Sequence, residues 1–286
     1  MSSPIARFLI IAALIAAFAV PTEAAQQAAG SMEPITLVEL VLKDGSRMFG
    51  SVERETDAEV TFKTHAGASV TVRRTDVVSL RKVAGTMQNG EFLPPDPNTT
   101  RLFFAPTGRS LKQGQVYLGI FEFVMPFVQV GITDRLSIGG GTPLVFGFDE
   151  WDRPFWVTPK YQVLDARTTQ VSIGVLQVFD PDGDGGGIAY GVVSRGTDVR
   201  SFTAGGGFAY GNDGGRAGVL MLGGEARISR SMKAVTENYL WKGGNGVVTA
   251  GVRFFGERLS ADLALAVPIG ADGLIAFPLI NFVYVF

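Results

Sequence analysis

Residues 276–286 read AFPLINFVYVF. Successive side chains of a strand point to opposite faces, so the spacing of Phe282, Tyr284 and Phe286 puts three aromatics on one face. The intervening Val283 and Val285 are also apolar, and most of the run is apolar on both faces. This predicts a strand with both faces out of water. Such a strand needs neighbours, and the residues before it supply them. Residues 115–123, 126–133, 135–147, 155–165, 168–179, 187–195, 199–210, 215–228, 231–241, 247–256 and 258–267 read as further strands.

The joints between these runs alternate in character. One set is tight: Thr133-Asp134-Arg135, Asp165-Ala166-Arg167, Gly196-Thr197-Asp198, Ser229-Arg230-Ser231 and Glu257-Arg258. The other is longer and rich in glycine and acid: FDEWDRP at 148–154, DPDGDGGG at 180–187, GNDGGR at 211–216, KGGNG at 242–246 and PIGADGL at 268–274. Short turns at one rim and long loops at the other predict an all-β fold: an antiparallel transmembrane β-barrel of about twelve strands over 115–286. With its terminal FVYVF the chain resembles bacterial outer-membrane β-barrel proteins, whose last strand ends in an aromatic residue read by the assembly machinery. The resemblance implies a porin-like protein of a Gram-negative outer membrane. It also implies that Phe282, Tyr284 and Phe286 form the assembly signal, with membrane lipid, lipopolysaccharide and that machinery as partners.

The residues upstream fit an exported protein. Arg7 followed by the apolar run 8–20, Pro21 and the small pair Ala24 and Ala25 reads as a signal peptide over 1–25. Residues 32–92 read as short strands separated by turns and are denser in charge than the barrel region. LKDGSRMFGSV and HAGASVTV resemble small SH3-like or Sm-like five-stranded barrels. The expectation is a periplasmic module whose partner is a periplasmic protein or peptidoglycan. The proline-rich PPDPNTT at 94–100 cannot continue a helix or a central strand, so 93–114 reads as linker and entry segment.

Composition narrows the chemistry. Of 286 residues none is cysteine and one is histidine, which removes thiolate sites and most histidine metal sites. A net charge of −2 leaves no basic footprint for nucleic acid. Histidine-dependent barrel hydrolases are excluded because His65 lies in the first module. No cofactor is expected. A histidine-free lipid-modifying enzyme, with Glu225 and Glu237 as a carboxylate pair or with Glu225 and Asp262 at its site, is the alternative. A secreted soluble β-protein with ligand-binding loops is another.

Charges are rare within the strands: Glu122, Lys160, Glu225, Arg227, Lys233, Glu237, Arg253 and Asp262. Lysine or arginine facing lipid at mid-depth costs about 2–4 kcal/mol, so all eight are expected in the lumen. There they form either an interior ion-pair network or a charged constriction. Asp180, Asp182 and Asp184 stand at alternate positions, as in the first half of a calcium loop. The twelfth position is Gly191, so the full EF-hand pattern fails, and the metal stays open. Trp151, Trp156, Tyr161, Tyr210, Tyr239 and Trp241 are placed as an aromatic girdle.

Overall fold

The computed structural model describes residues 35–88, 91–144, 153–180, 185–211, 216–270 and 275–286. The leader read at 1–25 lies outside the described residues. The chain divides between Pro95 and Asp96 into two units, each described by itself.

The first unit is a small antiparallel sheet. Its strands are β1 (Ile35–Leu42), β2 (Arg47–Glu55), β3 (Glu59–Thr64), β4 (Ser69–Arg73) and β5 (Val77–Gln88), with β6 (Glu91–Leu93) extending the end of β5. The order β4-β3-β2-β1-β5-β6 makes β1 central, paired to both β2 and β5. Among the described residues no strand pair closes this sheet into the expected five-stranded barrel. Leu40, Val60 and Phe62 are fully buried, and Phe49 stacks on Phe92 at 4.4 Å. The Asp44-Gly45 turn joins β1 to β2, with Gly45 at a φ of 86°, where a Cβ is strained. The Ser46 N–H donates to Asp44 Oδ1 at 2.8 Å and holds that carboxyl below the ordinary aspartate range. His65 stands in the turn after β3.

The second unit is a closed barrel of twelve antiparallel strands. They are β7 (Val116–Phe121), β8 (Met125–Gly131), β9 (Leu136–Gly141), β10 (Phe155–Asp165), β11 (Thr169–Phe179), β12 (Gly186–Gly196), β13 (Arg200–Gly211), β14 (Arg216–Ser229), β15 (Met232–Trp241), β16 (Asn245–Phe255), β17 (Leu259–Ile269) and β18 (Phe277–Val285). Each strand pairs with the next. The ring closes where β18 returns to β7, with Val283 opposite Gly119 and Tyr284 opposite Leu118. Closure leaves no sheet edge, so every strand finds ladder partners on both sides.

Strands β10 to β17 have ten to fourteen residues. Eleven residues at the usual rise and tilt climb about 28 Å, enough for the apolar band of a membrane barrel. The first three strands are shorter, with six, seven and six residues. One reason is the turn at 122–124. Glu122 and Phe123 both adopt positive φ, and the Val124 N–H bonds the Phe121 carbonyl. This three-residue turn sets Phe121 opposite Met125, and it ends β7 before the predicted 123.

The faces alternate as period two requires. Val128, Ile173, Phe208, Phe254, Leu263 and Leu265 are exposed on the outer wall. Gln129, Ser172, Thr203, Arg253 and Asp262, at opposite parity, are buried inside. The predicted girdle divides. Tyr161 and Trp241 are exposed, whereas Trp156 packs against an interior cluster and the Tyr239 hydroxyl bonds Glu237. Trp151 lies outside the described residues.

If the β18–β7 seam closes the barrel, the refolded chain in detergent should change mobility on denaturing gels when boiled. Removing residues 282–286 should abolish the fast-migrating unboiled band.

Candidate functional site

The interior of the barrel is occupied by the chain's own residues 96–114. The segment enters at the tight-turn rim, runs inward to residues 102–105 and returns to the same rim. A short hairpin forms its inner end: the Leu102 N–H bonds the Ala105 carbonyl at 2.9 Å, and the Thr107 N–H bonds the Thr100 carbonyl at 3.0 Å. At the return, Lys112 pairs with Asp165 at 3.0 Å and the Gln113 N–H bonds Asp134 at 3.1 Å, both at tight turns. The residues read as linker and entry are therefore a plug.

The plug tip is apolar and sits where the wall is apolar. Leu102, Phe103 and Ala105 pack with Val192, Met221, Val235 and Ala264. Its backbone is polar, and here the wall supplies charge. Glu237 Oε2 accepts the N–H groups of Phe103, Phe104 and Ala105 at 2.8, 2.9 and 3.0 Å. Three consecutive donors converging on one carboxylate oxygen make an anion nest. The Tyr239 hydroxyl bonds the other oxygen at 2.8 Å.

Lys160 does the converse for carbonyls. Its ammonium donates to the oxygens of Arg109 at 2.5 Å, Thr100 at 3.1 Å and Thr107 at 3.5 Å. Gly108 fits flush against the wall: its N–H bonds Ser194 Oγ at 2.9 Å, and its carbonyl accepts Ser172 Oγ at 2.8 Å and Gln162 Nε2 at 3.1 Å. A Cβ at Gly108 would run into the Gln170 carbonyl.

Three carboxylates and four cations hold the remainder. Arg253 is fully buried and binds Asp262 in a bidentate fork, at 2.7 and 3.1 Å. Its guanidinium also reaches Asp96 at 3.4 Å and donates to the carbonyls of Asn98, Arg101 and Leu102. Lys233, also fully buried, lies 3.1 Å from Asp96 and 3.2 Å from Glu225. Arg109 of the plug meets Glu225 at 2.8 Å, and Ser201 donates to the same oxygen at 3.0 Å. Arg101 enters an aromatic box, 4.2 Å from the Phe127 ring centre and 4.9 Å from that of Tyr117. It donates to Gln129 at 2.9 Å and to the Tyr117 hydroxyl.

Six of the eight strand charges read from sequence meet here: Lys160, Glu225, Lys233, Glu237, Arg253 and Asp262. Arg227 faces inward at the rim, where it stacks over Phe255 at 4.9 Å and donates to the Arg230 carbonyl at 2.8 Å. Glu122 does not join them. It stands in the β7–β8 turn and accepts the Ile280 N–H at 2.9 Å, because β7 ends at Phe121 and leaves it off the strand. Sequence reasoning missed the plug's own charges, Asp96, Arg101 and Arg109. The signal was Leu102-Phe103-Phe104-Ala105, an apolar run that a solvated linker has no reason to carry. Glu225 and Glu237, considered together as an acid–base pair, engage separate partners.

Of the loop acids, Asp180 is described, whereas Asp182 and Asp184 lie outside the described residues. Among the described residues no cluster of three or more metal-ligating side chains occurs. Phe282, Tyr284 and Phe286 share the outer face, with Tyr284 and Phe286 edge to face at 5.1 Å.

A closed antiparallel barrel with an apolar exterior and a self-supplied plug is the architecture of a membrane-spanning β-barrel. No protein family and no curated protein matches the chain in sequence. Among solved structures it is similar to the KdgM porin, with 7% identity and a TM-score of 0.46, covering 60% of this chain and 98% of that one. The NanC porin is 12% identical, with a TM-score of 0.42 and coverage of 59% and 98%. An anion-selective porin from Comamonas acidovorans is 14% identical, with a TM-score of 0.30 and coverage of 89% and 100%.

Two substitutions probe the plug. Glu237→Ala strips three buried N–H groups of their acceptor, and a charged hydrogen-bond set of this kind is worth on the order of 3 kcal/mol. The amides of Phe103, Phe104 and Ala105 should then exchange with solvent at least tenfold faster while the barrel amides stay protected. Lys233→Met leaves Asp96 facing Glu225. Breaking such a buried pair costs about 3–5 kcal/mol, which urea unfolding in detergent should show as a lowered midpoint.

Proposed function

We propose that this chain is a non-enzymatic outer-membrane barrel of a Gram-negative bacterium. Its lumen is sealed by its own plug, and it anchors the N-terminal sheet unit on the periplasmic side. It conducts only when the plug leaves. The observation that carries this reading is the plug itself: residues 96–114 engage the lumen charges through Glu237, Lys160, Lys233 and Arg253. A pore held open for solutes would present such groups to water.

Several features support the membrane and anchoring parts. The outer wall is apolar and the barrel leaves no edge, as lipid requires. The leader read at 1–25 suits export. The plug enters and leaves at the tight-turn rim, the periplasmic rim of such barrels, so the chain before Asp96 begins on that side. The return of β5 to β1 suits the SH3-like reading of the first unit, whose partner would be a periplasmic protein or peptidoglycan. The outward row Phe282, Tyr284 and Phe286 is offered as the assembly signal. The acidic loop at 180–184 is offered as a site where divalent cations bridge to lipopolysaccharide.

The lipid-enzyme reading fares worse on chemistry. Glu225 is held by Arg109 and Lys233, and Asp262 is forked to Arg253. Both are buried inside the barrel and face paired cations, out of reach of a lipid substrate.

Planar-bilayer recording tests the channel. The intact chain should be silent or show rare brief openings. A variant with residues 96–114 replaced by a glycine–serine linker of equal length should give sustained steps. Gly108→Val, which cannot seat against Gln170, should give intermediate opening frequency. Sustained conductance by the intact chain would overturn the sealed reading.

A further inference from the structure

We propose that the lumen carries an apolar ligand site that seats a single-ring hydrocarbon on the tip of the plug. Between the plug and the β11–β15 wall lies a cavity of about 170 Å³. Phe104 and Pro106 of the plug form its floor, and Ile188, Met221, Tyr190 and Tyr239 stand among its walls. It occupies the half of the barrel nearer the long loops, since Leu176, Val219 and Tyr239 fall toward the loop ends of their strands. None of the described residues that line it is charged. This sets it apart from the polar lumen at the opposite rim, where plug and wall satisfy one another.

Two features make the space. Gly205 and Gly207 face inward at the parity of Thr203 and bring no side chain to the wall beside Tyr190. The plug tip stops at Phe104, because Glu237 captures its N–H groups below the cavity. The Tyr239 ring is fixed by its hydroxyl's bond to Glu237 at 2.8 Å, so the chamber is preformed. An apolar lining offers water few of the two to four polar partners it needs, and about 150 Å³ is room enough for benzene. Three aromatic rings, Phe104, Tyr190 and Tyr239, border the space, which suits a flat guest that can stack or meet an edge. The ligand class is therefore a monocyclic aromatic hydrocarbon. Its floor is the plug, so a guest stabilises the seated plug by linkage.

Toluene is the probe. The full chain, with its methionine methyls labelled with carbon-13, is refolded into phosphatidylcholine nanodiscs. The Met221 methyl, assigned through Met221→Leu, is followed by NMR. Toluene should shift it saturably, with a dissociation constant below about 1 mM, as the contact area of a seven-carbon guest allows. Val219→Phe fills the chamber and should weaken binding at least tenfold while the gel mobility of the unboiled barrel is kept. If that variant fails to fold, Ile188→Phe is read the same way. Val219→Ala should bind as the parent does. The proposal is overturned if the shift never saturates, if the filling variant binds as tightly, or if hexane saturates the site and toluene does not compete. The readout is independent of conductance, so a failure here leaves the sealed-barrel reading untouched.

Discussion

Lys233 and Arg253 lie wholly out of solvent inside the barrel, and their need for partners organises everything around them. A buried charge persists only where counter-charge and hydrogen bonds replace water. Lys233 finds Asp96 and Glu225, and Arg253 finds Asp262 and a set of plug carbonyls. Asp96 is common to both cations and belongs to the plug. The wall gives each cation one carboxylate, and the inserted segment adds Asp96 and its carbonyls to complete their shells. The reverse holds too: the plug's irregular backbone would leave orphaned N–H groups in the interior without Glu237 and orphaned carbonyls without Lys160.

Plug and wall are in this sense one polar network wrapped round a small apolar tip. The division of labour follows depth. Near the tight-turn rim the contacts are ionic and involve Asp96, Arg109, Lys233 and Arg253. At mid-barrel the carboxylate nest of Glu237 holds the tip, and beyond it the lining turns apolar. Outside, period two places leucine, valine and phenylalanine against lipid at every second position. The twelve strands thus separate two solvents, hydrocarbon on one face and an interior of protein on the other.

Most of the barrel was legible because its signals are local. Alternation within a strand and turn residues between strands require no knowledge of distant partners, and β10 to β18 fall within two residues of their predicted bounds. The inward parity of Lys160, Glu225, Lys233, Glu237, Arg253 and Asp262 followed from the cost of charge against lipid. Glu122 was misplaced because a tight turn with positive φ at Glu122 and Phe123 carries no glycine to announce it. The plug was illegible for a different reason. PPDPNTT reads locally as linker, and that it does not remain in solvent depends on charges more than a hundred residues away. Only the run 102–105, too apolar for a solvated tether, hinted at burial. For the first unit, strand positions were readable, whereas closure depends on pairings that short meanders do not encode.

The plug's place in the chain bears on how the protein comes to be built. Residues 96–114 precede every barrel strand, yet Asp96 meets Arg253 across 157 residues and Phe103 meets Asn281 across 178. These contacts form only once the last strands of the barrel stand beside the segment. Such long-range contacts raise contact order and slow folding. They also tie the last step of closure to the earliest residues of the unit, so a chain that closes empty leaves Lys160 without its carbonyl acceptors and Glu237 without its three N–H donors, and is marked as misassembled by its own instability.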